Sequence, residues 1–338
     1  MLKKFAVVFL FLAGTAHAQT FTGTLDGYYS GNFNDATGRK NAGRAFDFRN
    51  NEFSLNYAEL AIEDKAEKGK TIGYRFDLGF GDAAKVVNAS EPSSSPFLEH
   101  LQQAYLSANH SKLTVDFGKF VTPLGLEVIE TKDNWNYSRG LLFTNIVPFY
   151  HFGVRATIAA NDKVSVGGSV TNGWNNVQEN NDSKTVGFMA TIKPSDKTSW
   201  TTNYMVGREY DGGELRHTFD TYATVEISDR FSVAGNYDYV KDKTFADEHQ
   251  QGVALYAKVK AAEKVILSPR WEWFEGTSDK IQDFTITAMF PVHEQLSVYG
   301  EYRHDWANHS IFPDGDSAFS DKQDTVTIGV VLNFTKTR

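Results

Sequence analysis

The sequence predicts an all-β fold, a transmembrane up-and-down antiparallel β-barrel of about 16 strands. Three observations predict it. After the first eighteen residues there is no run of 18 apolar residues, so no helix can cross a bilayer. Hydrophobic content is 41%, yet aromatics reach 14%, with 26 Phe, 15 Tyr and 6 Trp. A membrane protein of that profile has to be a closed barrel, whose lipid face uses every second residue. Finally, segments of alternating polarity recur at the spacing of a hairpin, and the chain closes on a strongly alternating apolar strand.

The elements follow in order. Residues 1–18 read as a signal peptide: Lys3 and Lys4 form the positive end, Phe5 to Leu12 the apolar run, and Ala16-His17-Ala18 sets small residues at −3 and −1 before Gln19. Residues 19–338 are then one barrel domain, exported to the outer membrane of a Gram-negative bacterium. Loss of Lys3 and Lys4 leaves 32 of 34 basic residues against 42 acidic ones, a mature net charge of about −10. That balance excludes a nucleic-acid partner, which needs a basic footprint. There is no cysteine, so stability rests on hydrogen bonding and burial.

Six segments share a polar turn, a charged or polar residue and then apolar alternation, anchored at Lys112, Lys163, Lys197, Arg230, Lys264 and Gln295. The last four intervals are 34, 33, 34 and 31 residues, a period of one up-and-down hairpin. Each repeat opens with aliphatics at every second place, as in Phe231/Val233, and ends in alternating aromatics and charges, as in Trp271-Glu272-Trp273. Period two puts the aromatics on the lipid face as an interfacial girdle and the charges in the lumen. Strands are expected near 21–34, 51–63, 71–82, 100–109, 112–121, 149–160, 163–173, 184–193, 198–209, 216–227, 230–241, 248–260, 263–275, 280–290, 295–306 and 322–334. In the second strand apolar parity slips midway, which a bulge near Tyr57 repairs. In the last, Val326, Ile328, Val330, Leu332 and Phe334 face lipid, an ending of the kind handed to the barrel-assembly machinery.

The longest connection, residues 122–148, is the third outward loop. It carries Glu127, Glu130, Lys132, Asp133 and Arg139 among many apolar residues, so it should pack against something. It either folds into the lumen and narrows the pore, or forms an extracellular cap or a contact with a neighbouring protomer. Here the sequence resembles a known family: GKFVTPLGLEVIET (118–131), NYSRGLLF (136–143) and PFYHFGVR (148–155) are similar to the β-barrel porin-2, OmpL-like family, with a looser similarity to phosphate-selective porins. The resemblance implies a channel whose third loop lies inside, with Gly118, Pro123, Gly125, Glu127, Ser138 and Arg139 at matching positions. No concentrated Lys/Arg set accompanies it, so selectivity does not carry over.

Glu127, Glu130, Asp133, Arg139 and Arg155 are accordingly expected to form the pore constriction. Parity puts Arg75, Asp77, Asp116, Asp220, Glu226, Asp238, Lys258, Arg270, Glu272, Asp283, Glu301 and Arg303 on the pore wall, where mixed signs favour polar solutes over apolar ones. The nine histidines are scattered, so neither a catalytic set nor a metal site is expected, and no cofactor. The function expected is an outer-membrane porin, a passive diffusion channel for small polar solutes or ions, with a homo-oligomer as an open alternative to a monomer. The alternatives are a channel selective for a sugar or organic acid, and a non-conducting structural or adhesive barrel.

Overall fold

The computed structural model describes residues 19–34, 38, 40–67, 69–242, 248–315 and 318–338; the expected signal peptide lies outside them. Sixteen antiparallel strands close on themselves: β1 (Thr20–Asn32), β2 (Phe53–Asp64), β3 (Ile72–Phe80), β4 (Leu101–His110), β5 (Leu113–Val121), β6 (Tyr150–Asn161), β7 (Val164–Thr171), β8 (Thr185–Ser195), β9 (Thr198–Arg208), β10 (Leu215–Ser228), β11 (Phe231–Asp242), β12 (Glu248–Ala262), β13 (Val265–Glu275), β14 (Lys280–His293), β15 (Leu296–Ala307) and β18 (Lys322–Thr337). The small hairpin β16 (Phe312–Asp314) and β17 (Ala318–Ser320) sits in the last loop. Closure of β18 on β1 removes both edges, so every strand backbone is paired where lipid offers it no partner.

The alternation decides the faces. On β18, Val326, Ile328, Val330, Leu332 and Phe334 are 39–56% exposed, while Thr325, Thr327 and Val331 are each 2%. The strand runs to Thr337, three residues past its expected end. The cause is β1, which starts at Thr20 opposite Thr337 and is locked by reciprocal Gln19–Arg338 backbone bonds of 3.1 and 3.0 Å. The parity slip of β2 is a bulge: Asp26 and Gly27 of β1 face Tyr57 and Leu55, leaving Asn56 as the extra residue. Asn56 and Tyr57 both turn inward, and Leu55 and Leu60 face out.

Alternate strand ends are joined by tight turns, and the other ends carry the longer loops. Two short helices lie in these loops: α1 (Asp82–Val87) between β3 and β4, and α2 (Leu141–Asn145) between β5 and β6. Among the described residues no helix is long and apolar enough to cross a membrane. The buried apolar residues form clusters inside the barrel. Phe46 of the first loop, Ala83, Ala84 and Val87 of α1, and Leu124, Ile129 and Phe143 of the third loop pack together. Leu141, Leu142 and Ile146 pack instead on Ala254, Tyr256 and Phe274 of the wall.

Candidate functional site: the third loop and the passage beside it

The third loop crosses the lumen. Leaving β5, it gives its Gly125 and Leu126 amides to Asp220 Oδ1 (3.1 Å) and Asn236 Oδ1 (2.8 Å) on β10 and β11. Farther along, the Tyr137 and Ser138 amides donate to Glu301 of β15, and the Leu141 amide to Glu272 of β13 at 2.8 Å. The Tyr137 hydroxyl and Thr131 Oγ1 donate to the two oxygens of Asp26 on β1, at 2.7 and 2.6 Å. Wall carboxylates thus satisfy loop amides that would otherwise be buried without partners. At Gly140 a Cβ would meet Glu272 Oε2 at 2.2 Å, so any side chain there would push the Glu272 carboxylate off the Leu141 amide.

Charge holds the same contact. Arg270 reaches Glu127 Oε1 at 2.8 Å and the Ser138 carbonyl at 2.8 Å; Arg303 donates to the Arg139 carbonyl at 2.7 Å and pairs with Asp305 and Asp283. The expectation of a wet wall is corrected here. Arg270, Glu272, Asp283, Glu301 and Arg303 are all 4% exposed or less, because the loop lies on them. Buried charges of this kind add little net stability against their desolvation, but removing one partner is costly, so they specify where the loop sits.

The expected constriction residues separate into two groups. Arg139 is 1% exposed and spends its guanidinium inside the loop, on the carbonyls of Val128, Tyr137 and Ile129 and on Thr131 Oγ1. It is not among the residues bordering the open space beside the loop and works as a clip that closes the loop on itself. Glu127 borders the passage, yet one oxygen is held by Arg270 and the other accepts the Gly140 amide. Glu130, Asp133 and Arg155 border the same space, with Asp133 paired to Lys132. An Arg139→Ala variant should leave buried carbonyls at roughly 1–3 kcal/mol each without donors. The barrel should still fold, and single-channel recordings should show a noisier open state than wild type; equal noise would mean the clip does not hold the loop.

The open space measures about 560 Å³ and lies between the loop and the wall of β1 to β4, β6 and β10. Its wall side carries Glu59, Glu63, Arg75, Gln103, Tyr105, Arg155 and Tyr222; its loop side is Val121 to Asp133. A second space of about 330 Å³ against β5 to β9 shares Pro123, Leu124 and Arg155 with it. Of the expected wall residues, Arg75 borders the passage and Asp116 the second space, where it takes Arg155 Nε at 2.7 Å. Asp77 holds Arg75, and Asp220 and Asp238 are fully buried. Lys258 lies over the Trp135 ring of the loop at 4.8 Å, and Glu226 is exposed at the tight-turn end of β10.

Several residues of the site were not singled out in the sequence. Asp26 was within reach, since Leu25 and Tyr29 of β1 alternate with it. Glu59 was hidden by the bulge, which moves every residue after Asn56 to the other parity. Arg44 and Asp47 of the first loop, which pair with each other while Arg44 also binds Asp305, follow no periodicity at all.

Comparisons with known proteins agree with this geometry. A model of the family described as beta-barrel porin-2, OmpL-like matches residues 19–334. Among solved structures, the anion-selective porin from Comamonas acidovorans is similar with a TM-score of 0.67 at 11% identity, over 94% of this chain and 100% of that one. The outer membrane channel DcaP of Acinetobacter baumannii gives 0.64 at 12%, over 95% and 99%. The trimer form of OmpT of Vibrio cholerae gives 0.61 at 11%, over 94% and 100%. Identities this low establish the fold alone. Comparison with curated proteins gives no match.

Proposed function

This chain belongs to the beta-barrel porin-2, OmpL-like family and is an outer-membrane porin, and from that premise we propose that it passes small polar solutes by diffusion, through the space its third loop leaves open. The observation that carries the reading is the loop itself: it is bonded to β10, β11, β13, β15 and β1 across the lumen, and leaves open space bordered by Glu127, Glu130, Asp133, Arg75 and Arg155. A 16-stranded barrel is otherwise wide enough for an unselective aqueous channel. Charges around a narrow wet passage favour polar solutes and reject apolar ones. The same barrel would serve a channel selective for a sugar or organic acid, and a closed one would be structural.

Planar-bilayer recording of the refolded protein in a salt gradient tests this. Glu130→Gln with Asp133→Asn should move the reversal potential toward anions. The shift should shrink as salt rises and the Debye length falls below about 10 Å. An unmoved potential would remove these carboxylates from the passage, and a silent wild type would favour the structural barrel. Export belongs to the same proposal: residues 1–18 are removed, the mature chain starts at Gln19, and β18 is delivered to the assembly machinery. N-terminal sequencing of outer-membrane protein that finds Met1 would refute it. The trimeric form of OmpT supports a homo-oligomer here as well.

A further inference from the structure

The wall of the passage holds two arginines in an unusual way. Arg75 of β3 gives its Nε to Asp77 Oδ2 at 2.7 Å, and Arg155 of β6 gives its Nε to Asp116 Oδ2 at 2.7 Å. Each carboxylate is itself fixed, Asp77 by Gln103 at 2.6 Å and Asp116 by Ser107 at 2.6 Å. Pinning the Nε leaves the terminal amino groups of the fork turned away from the anchor. Among the described residues those of Arg155 donate no hydrogen bond, and beyond its anchor Asp77 the Arg75 fork faces Glu63, 3.9 Å from its Nη1. Both side chains are 28% exposed and border the same open space.

Tyr105 joins them. It pairs with Arg75 across β3 and β4, and the Arg155 guanidinium lies 5.3 Å from its ring and 4.5 Å from that of Phe120. Next on the wall comes Gly118, opposite Tyr105 on β5, with a φ of 138°; a Cβ there would strike the Ala104 carbonyl at 2.1 Å. Its β6 neighbour Gly153 is packed as closely, a Cβ there meeting the Val170 carbonyl at 2.2 Å, so the wall at this pair is bare backbone. Stacked, anchored guanidinium groups of this kind present their donors as a planar fork, the geometry that takes a carboxylate with two parallel bonds. The loop side of the space is acidic, with Glu130 and with Asp133 paired to Lys132. On the wall, Glu59 and Glu63 stand on β2 next to β3, Glu63 directly opposite Arg75 and also 3.7 Å from Lys65.

Resting on the diffusion-pore reading above, we propose that this part of the passage is a binding station for small zwitterions, solutes that carry a carboxylate and an ammonium group a few bonds apart. The carboxylate is taken by the Arg75/Arg155 pair and the ammonium by the Glu59/Glu130 side. A monoanion meets the acidic side and a monocation the arginines, so each gains one contact and suffers one repulsion. A zwitterion gains both. Binding is weak enough for release because Arg75, Arg155 and Glu130 are partly hydrated, as conduction requires.

The test is block of the potassium current through the full-length porin in a planar bilayer by four solutes of similar size: serine, glycerate, ethanolamine and glycerol. Serine should half-block at a concentration about tenfold below any of the others. Arg75→Gln with Arg155→Gln should bring serine to the level of ethanolamine. Arg155→Lys, which keeps the charge without the fork, should lose most of the preference. Lys197→Gln, in a distant tight turn, should keep it. Heat-modifiable migration on detergent gels shows that each variant is folded. Glycerate blocking as well as serine, or Arg155→Lys blocking as well as wild type, would overturn the proposal. A conducting wild type without any preference would overturn it alone, whereas a wild type that carries no current would overturn the porin reading together with it.

Discussion

A variant shortened between Glu127 and Arg139 should conduct several-fold more current per channel than wild type. The segment removed makes several of the contacts that cross the lumen, from Glu127 on Arg270 to Tyr137 on Asp26 and Glu301. Without it, the lumen of a 16-stranded barrel is an open aqueous channel. The barrel itself should survive. Its sixteen strands pair with one another, and the wall charges that lose loop partners, Arg270, Glu301 and Arg303, are returned to water rather than left buried and unpaired. Discrimination between solutes by charge should fall along with the narrowing. Single-channel conductance at fixed salt measures the effect; an unchanged value would mean that the loop does not limit the current.

Replacing Val330 by Arg should destabilise the barrel by about 2–4 kcal/mol, the cost of a charge on the lipid face near mid-membrane. Val330 lies in the middle of β18, 44% exposed on the outer face, opposite Gly27 of β1 and Val298 of β15. Its neighbours along that face, Ile328 and Leu332, are apolar and exposed, so a guanidinium there meets lipid rather than a polar partner. Asn333→Arg, on the inner face near the tight-turn end, should cost far less, because its side chain is half-exposed and among the described residues is held by Thr24 alone, at 3.5 Å. Thr327 is a poor control although it also faces inward: it is 2% exposed and donates to Ser30 Oγ at 3.0 Å, so a large side chain there has no room. Urea midpoints of the refolded variants provide the comparison. Equal losses at Val330 and Asn333 would mean that the strand does not span the membrane.

The strands could be read from the sequence because a barrel strand answers to two solvents at once, and each residue is sorted by a local rule. Trp271-Glu272-Trp273 or Thr325-Val326-Thr327 declares its faces without reference to the rest of the chain. For the same reason the count of sixteen, the bulge near Tyr57 and the length of the third loop could be anticipated. The local rule stops at the inner face. It says that Arg270, Glu272 and Glu301 point inward, but not what meets them there. Whether an inward charge is wet or buried depends on a loop more than a hundred residues away, as Tyr137 on Glu301 and Glu127 on Arg270 demonstrate. So the sequence by itself determined the barrel, its faces and the residues available to line it. Only the tertiary structure decided that Arg139 is a clip inside the loop, that Glu127 is spent on Arg270, and that Arg75 and Arg155 share one opening. The physical reason is that periodicity encodes which solvent a side chain faces, whereas partnership across a lumen is set by closure of the sheet and the path of a loop with no period of its own.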